Sequence, residues 1–214
     1  MQKATLRKTN SDAASGAANT ELIELPTQIM RTTSGEMAEI PLNGYNLYDT
    51  RTIDKITNDF FLPSPDGTRI KNNYDQMPPN PSEQTFIVGL GASFTKAFLK
   101  GSADVNAIDY VNRAQGGILQ ILRNDTQAVL VEEPLQRFLD LSGLQVNGDT
   151  IVLPTAAKPV ALDEAVVIPT GIGYRMRVVL GDGAPLPTKA QWEASNVSVP
   201  EIRLTARHRG NNGR

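Results

Sequence analysis

The stretch from residue 117 to 139, GILQILRNDTQAVLVEEPLQRFL, constrains the fold most. Ile118, Leu119, Ile121 and Leu122 form one apolar run, Asn124-Asp125-Thr126 break it, and Ala128 to Val131 form a second that ends in Glu132-Glu133-Pro134. Two such runs about a short polar break predict a β-hairpin, because Asn and Asp tolerate the left-handed backbone that the turn requires. The alternative is a helix interrupted once, and the β-branched content favours strands. The hairpin is therefore expected at the centre of an all-β sandwich.

A chain of 214 residues, 40% hydrophobic and 21% charged, has enough apolar material for one packed domain, and its 14 Pro and 17 Gly suit many turns between short strands. The 21 Lys and Arg against 23 Asp and Glu leave a net charge of -2, so the chain as a whole is no electrostatic nucleic-acid binder and any such role must be local. Without Cys there is no disulfide framework, thiolate metal site or cysteine nucleophile, and a single His excludes multi-histidine metal cages. No apolar run approaches the ~18 residues that a membrane-spanning helix needs, and the basic N-terminus lacks the apolar run of a secretory signal.

Residues 1–20 are small and polar, with Lys3, Arg7 and Lys8 before a Ser/Ala/Gly/Asn tract. Such a segment buries too little apolar surface to offset its ordering entropy and is expected to be a flexible arm. It either orders against a neighbouring subunit, a lipid surface or a genome, or is a frayed terminus. Residues 21–209 are expected to form the domain and 210–214 a polar tail.

Within the domain, residues 36–42 predict an early edge strand that turns Met37, Ile40 and Leu42 to the core, with Pro41 at the edge. Residues 43–81, with Asn-Gly, Pro-Asp-Gly and Pro-Pro-Asn-Pro, read as elaborated loops around a short strand at 60–62. Residues 84–98 hold the longest strand, with Phe86, Val88, Leu90, Ala92 and Phe94 at period two and Gly89 and Gly91 on the opposite face. A short amphipathic helix capped by Ser102 to Asp104 runs to about Ala114, and Leu135, Phe138 and Leu139 tuck a helical turn under the sandwich. Further strands are expected at 150–153, 165–168, 173–180 and 199–207, where Tyr174, Met176, Val178, Ile202, Leu204 and Ala206 face inward. Ile121, Val129, Met176 and Leu204 are expected to share one core. About eight strands at irregular spacing suit a jelly roll of two four-stranded sheets better than an immunoglobulin-like sandwich.

No catalytic, cofactor-binding or metal-binding residues stand out. Glu132-Glu133 and Asp163-Glu164 are neighbours along strands and point to opposite faces, so neither pair can share a substrate as acid and base. His208 falls in the polar run Arg207-His208-Arg209-Gly210, which reads as a mobile tail with no nucleophile beside it. The glycines at 89 and 91 lack the third glycine and the helix of a dinucleotide fingerprint, and residues 54–59 lack calcium-loop spacing. Arg175, Arg177, Arg203 and Arg207 would form a basic stripe if their two strands faced each other; otherwise they are a solvated sheet face balanced by Glu201. No aromatic residues interleave with them in sequence, which argues against a single-strand platform.

An early Tyr48-Asp49 loop, the long strand QTFIVGLGASF, the hairpin GGILQILRNDTQAVLVEEPLQRF, the late IPTGIGYRMRVVL and the closing EIRLTARHRG, in this order behind a flexible N-terminal arm, resemble the single-jelly-roll capsid proteins of tailless icosahedral bacteriophages over about residues 30–210. The resemblance implies a structural, non-enzymatic virion protein made in the host cytoplasm. It would tile an icosahedral shell as trimers, pentamers or hexamers with itself and other capsid proteins, and the arm would contact neighbours, an internal membrane or a genome. The alternative is a jelly-roll module that binds sugars or a receptor, using Tyr45, Tyr48, Tyr74 or Trp192 from loops. A cupin-like enzyme would need several His ligands, which one His does not supply.

Overall fold

The structure is a computed structural model that describes residues 5–9, 20–24, 27–62, 72–74, 77–78, 81–95, 98–99, 101–102, 105–141, 145–147, 150–152, 158–183, 185–195 and 199–210. Among these residues eight strands build an all-β sandwich: β1 Gly44–Thr52, β2 Thr57–Phe60, β3 Thr85–Phe94, β4 Ile118–Arg123, β5 Val129–Pro134, β6 Val160–Ile168, β7 Tyr174–Val179 and β8 Glu201–Arg209. One four-stranded sheet runs β6-β3-β8-β1 and the other β5-β4-β7-β2. Every neighbouring pair is antiparallel, and β1 pairs β8, β2 pairs β7, β3 pairs β6 and β4 pairs β5.

The central hairpin forms as expected, with Ile118 opposite Pro134 and Ile121 opposite Val131. Its turn differs: the left-handed residue is Gln127, at φ 60, rather than Asn124 or Asp125. The Gln127 N–H closes back on the Arg123 carbonyl at 3.0 Å, and Asp125 takes the Thr126 N–H at 2.8 Å, so Asp125 caps the turn while Gln127 makes the reversal. Ile121 is fully buried, but Val129, at the loop end of β5, is 49% exposed and leaves the core. Tyr174, Met176 and Val178 alternate inward on β7 as predicted.

Residues 43–81 were expected to be loops, yet they contain the nine-residue β1, which pairs along its whole length with β8 from Gly44–Arg209 to Thr52–Glu201. The inner positions of GYNLYDTRT are Tyr45, Leu47 and Asp49, so an aspartate occupies a core position and hides the apolar alternation. Tyr45 and Tyr48 consequently stand on a strand rather than in loops.

β3 is buried on both faces, and a β-bulge at Val88 re-phases it: Gly89 lies opposite Arg207 but Ile87 opposite His208. Ile87, Leu90, Ala92 and Phe94 therefore face the interior between the sheets, while Phe86 and Val88 face the other way with Ile40 and Ala165. The predicted period-two row 86 to 94 is thus split between two cores. The second core is covered by a separate hairpin, Thr27–Arg31 with Met37–Pro41, whose Met30, Ala38 and Ile40 lie on the outer face of β3 and β6. Met37 and Leu42, expected inside, are exposed, because Met37 shares the hairpin's outer side with Ile29 while Ile40 takes the inner side.

Helix α1, Ala107–Gln115, starts later than its predicted cap, and Val105 instead pairs with Ser102 in a two-residue strand. The strand expected at 150–153 forms at Thr150–Val152, outside both four-stranded sheets, with Gln145–Asn147 and Phe98–Leu99. The turn Leu135–Arg137 buries Leu135, and Phe138 and Leu139 follow it inward as predicted. Trp192 lies on a helix, α2 Lys189–Ser195, rather than in a loop, and packs edge-on against Tyr110 of α1 with centroids 5.2 Å apart.

Candidate functional site

At one end of the sandwich the inner residues of β1, β7 and β8 converge on a buried polar cluster. Alternation along β8 carries inward through Ile202, Leu204 and Ala206 to His208, which has 0% exposure and is no part of a mobile tail. Its ring stacks on Tyr45, centroids 5.1 Å apart, and its Nε2 lies 2.8 Å from the Tyr174 hydroxyl. Nδ1 faces the Ala206 carbonyl at 3.1 Å. A carbonyl only accepts, so Nδ1 carries the proton, Nε2 accepts, and Tyr174 donates. Burial pulls the imidazole down to about 3 and pushes the Tyr174 hydroxyl well above its ordinary value. Burial, with Glu83 nearby, lifts the Tyr45 hydroxyl to about 12. The cluster is therefore neutral at ordinary pH, and His208 acts there as a packed hydrogen-bonding residue rather than a proton shuttle.

Next to it, Asp49 is 1% exposed and its Oδ2 accepts from three donors: the Arg51 Nε at 2.9 Å, the Phe61 N–H at 2.8 Å and the Tyr74 hydroxyl at 3.1 Å. Phe61 is held at φ 57, a left-handed conformation that costs a bulky residue about 1–3 kcal/mol and needs such an anchor. Tyr74 is buried against Phe61, so neither it nor Tyr45 is the exposed ligand platform considered from sequence.

The two late strands do not bring their arginines together. Arg175 and Arg177 lie on the outer face of the β5-β4-β7-β2 sheet, where Asp59 of β2 receives Arg177 at 2.7 and 3.3 Å and Arg175 at 3.6 Å. Arg203 and Arg207 belong to the other sheet, joined by Arg209, which lies beyond the expected strand end at residue 207 but still on β8. The Arg203 guanidinium sits 4.6 Å over the Tyr48 ring, and its Nε donates to Thr50 at 3.0 Å. The carboxylate pairs do diverge as expected: Glu132 takes Gln120 at 2.7 Å while Glu133 takes Arg137 at 3.1 Å, and Asp163 pairs with Arg137 while Glu164 pairs with Arg31.

Beside the Asp59 cluster an open polar cleft of about 500 Å³ is lined by residues of β1, β2 and their connection, among them Arg51, Asp54, Lys55 and Asn58. Among the described residues no three His, Asp or Glu side chains stand close enough together to hold a metal ion. Among the described residues, the hairpin over β3 and β6 presents the most exposed large apolar side chains, Met37 at 65% and Ile29 at 63%. Of the predicted arm residues, Lys3 lies outside the described residues, while Arg7 and Lys8 fall on the strand Thr5–Thr9, paired opposite Leu22 and Glu21 of Thr20–Glu24.

No family model matches this chain, and no curated protein or solved structure matches it.

Proposed function

We propose that this chain is a structural subunit of an icosahedral virion shell, folded as a single jelly roll. The observation that supports the reading is the strand pairing. First with last, second with seventh, third with sixth and fourth with fifth is the order left when one long antiparallel hairpin of four strand pairs is rolled into two sheets. The roll is filled by its own side chains, from Phe94 and Leu90 on one sheet to Ile121 and Met176 on the other, so its function resides in its outer surfaces rather than between the sheets. A shell subunit needs repeated lateral contacts, and the exposed Ile29 and Met37 together with residues 1–20 are the surfaces assigned to them. The partners are then further copies of the chain, as trimers, pentamers or hexamers, and other capsid proteins in the virion.

Analytical ultracentrifugation of the full-length protein over a range of salt and protein concentration, with electron microscopy of any large fraction, tests the proposal. Closed oligomers or shell-like particles are expected. A strict monomer at every concentration would overturn it in favour of a second reading, a ligand- or receptor-binding module that uses the open cleft by Arg51, Asp54 and Lys55. A glycan-array screen with an Asp54→Ala, Lys55→Ala control would then be decisive for that module.

A further inference from the structure

We infer that the hairpin Thr27–Arg31 with Met37–Pro41 is a two-fold contact, on which a second copy of this chain docks with the same face through Ile29, Arg31, Met37 and Glu39. The contact rests on the shell reading for its setting, and it gives one lateral contact of that shell a partner and a symmetry. Alternation turns Met30, Ala38 and Ile40 toward β3 and β6 and leaves the four named residues on the outer side. Ile29 is 63% and Met37 65% exposed, and the Arg31 side chain 63%.

The register sets these four residues at the corners of a rectangle. Ile29 stands opposite Glu39 and Arg31 opposite Met37. Residues two apart on a strand lie about 6.6 Å apart, and the paired strands about 4.8 Å. One diagonal, Ile29 to Met37, is therefore apolar, and the other, Arg31 to Glu39, carries one cation and one anion. A face that meets its own copy does so about a two-fold axis lying in the plane of contact. An axis along the strands sets Ile29 on the copy's Glu39 and Met37 on its Arg31, and an axis across them sets Ile29 on Arg31 and Met37 on Glu39. An axis along the charged diagonal sets each charge on its like. The apolar diagonal alone satisfies the whole face: Ile29 meets Ile29, Met37 meets Met37, and each Arg31 meets a Glu39.

Both charges are positioned by the chain itself. The Arg31 Nε donates to Glu164 at 3.1 Å, and the Thr27 hydroxyl donates to Glu39 at 2.5 Å. A guanidinium has five N–H donors and a carboxylate about four acceptor sites, so each serves a second partner across the contact. The balance of one cation and one anion also selects the occupant. A partner of single charge would satisfy one corner and repel the other, and a lipid surface would bury Glu39 beside Ile29 with no cation to meet it. A hairpin of five residues per strand covers about 160 Å², against ~800 Å² per partner in a stable pair. The contact is therefore weak alone and gains its strength by repetition, at the two-fold axes that an icosahedron supplies.

The chain has no Cys, so one introduced thiol reports the contact without background. Full-length Ile29→Cys protein is treated with a short bismaleimide, which bridges faces packed ~10 Å apart, and crosslinked pairs are measured on a denaturing gel. Their yield should exceed by on the order of tenfold that of Val129→Cys, an exposed position on β5. In the Ile29→Cys chain, Arg31→Glu alone and Glu39→Arg alone should each lose that excess, because each sets like charges face to face. An equimolar mixture of the two should regain it, because every charged corner then meets its opposite. Loss of a merely structural role in either chain is not repaired by mixing. Met37→Glu, which meets its own copy on the axis, should also lose the excess, and it decides the matter if Arg31→Glu, set beside Glu164, does not fold. Equal yields from Ile29→Cys and Val129→Cys would overturn the inference, as would a mixture that regains nothing, or capture of phosphatidylcholine vesicles that Met37→Glu abolishes. Shell-like particles without the crosslinking excess would remove this contact and leave the shell reading, whereas crosslinked pairs without particles would do the reverse.

Discussion

An imidazole held neutral between Tyr45 and Tyr174 makes stability depend on pH. His208 titrates near 6.5 in an unfolded chain but only at about 3 when folded, so the unfolded state takes up the proton first. Its contribution is complete above about pH 6.5 and is lost as pH falls toward 3, by about 1.4 kcal/mol per pH unit within that window. Chemical unfolding between pH 7 and 5.5 should therefore show a declining midpoint, and His208→Gln should flatten the decline while lowering stability at pH 7. Asp49→Ala should be more severe. It leaves the Phe61 N–H, the Tyr74 hydroxyl and Arg51 without their common acceptor, and a loss of about 3–5 kcal/mol in urea unfolding is expected. Neither residue was legible as a core group, and for the same reason. A polar residue at an inward strand position looks like a loop or a tail when read by hydrophobicity, although period two from Ile202 through Ala206 already carries His208 to the buried face. The outward positions of Arg203 and Arg207 follow from alternation, but the Tyr48 ring beneath Arg203 and the Asp59 carboxylate shared by Arg175 and Arg177 come only through strand pairing, which no local pattern encodes.

The elements that sequence reveals are those whose two faces differ in character throughout. β7 satisfies this and lies where alternation puts it, whereas the β4–β5 hairpin is marked by its two apolar runs and polar turn and carries an irregularity at Ile121/Leu122, with Val129 left exposed. β1 fails it, because Asp49 interrupts its inner face, and β3 fails it because one extra residue at Val88 reverses its phase part-way along. The hairpin itself offers a paired test. Ile121→Asp buries an unpaired charge between the sheets and should abolish cooperative thermal unfolding, whereas Val129→Lys, at a half-exposed position of the same hairpin, should shift stability by no more than about 0.5 kcal/mol. Circular dichroism melts of both variants check the placement: a cooperative transition in Ile121→Asp would show that β4 does not line the core.

Taken whole, the molecule separates a self-sufficient interior from the surfaces assigned to contact. Removing residues 1–20 should leave the melting temperature unchanged, because among the described residues the two cores are built from residue 30 onward, while reducing the assembled fraction in sedimentation. Ile29→Glu with Met37→Glu should do the same, since both side chains are already in solvent and only a neighbouring subunit would lose by the charge. Unchanged sedimentation in both variants would remove these two surfaces from the assembly proposal. The overall class and the two-sheet arrangement were legible because strand count and spacing carry them; the third layer over β3 and β6 was not, because it depends on the phase reversal at Val88. The position of β8 has a further consequence for how the chain is made. It is hydrogen-bonded to β1 on one side and β3 on the other, so during vectorial translation the sheet keeps a vacant central slot until residue 209 has cleared the ribosome. A nascent chain halted anywhere before that point displays two open strand edges where the finished one has none, and the cell's chaperones and proteases have a ready mark by which to tell incomplete copies from complete ones.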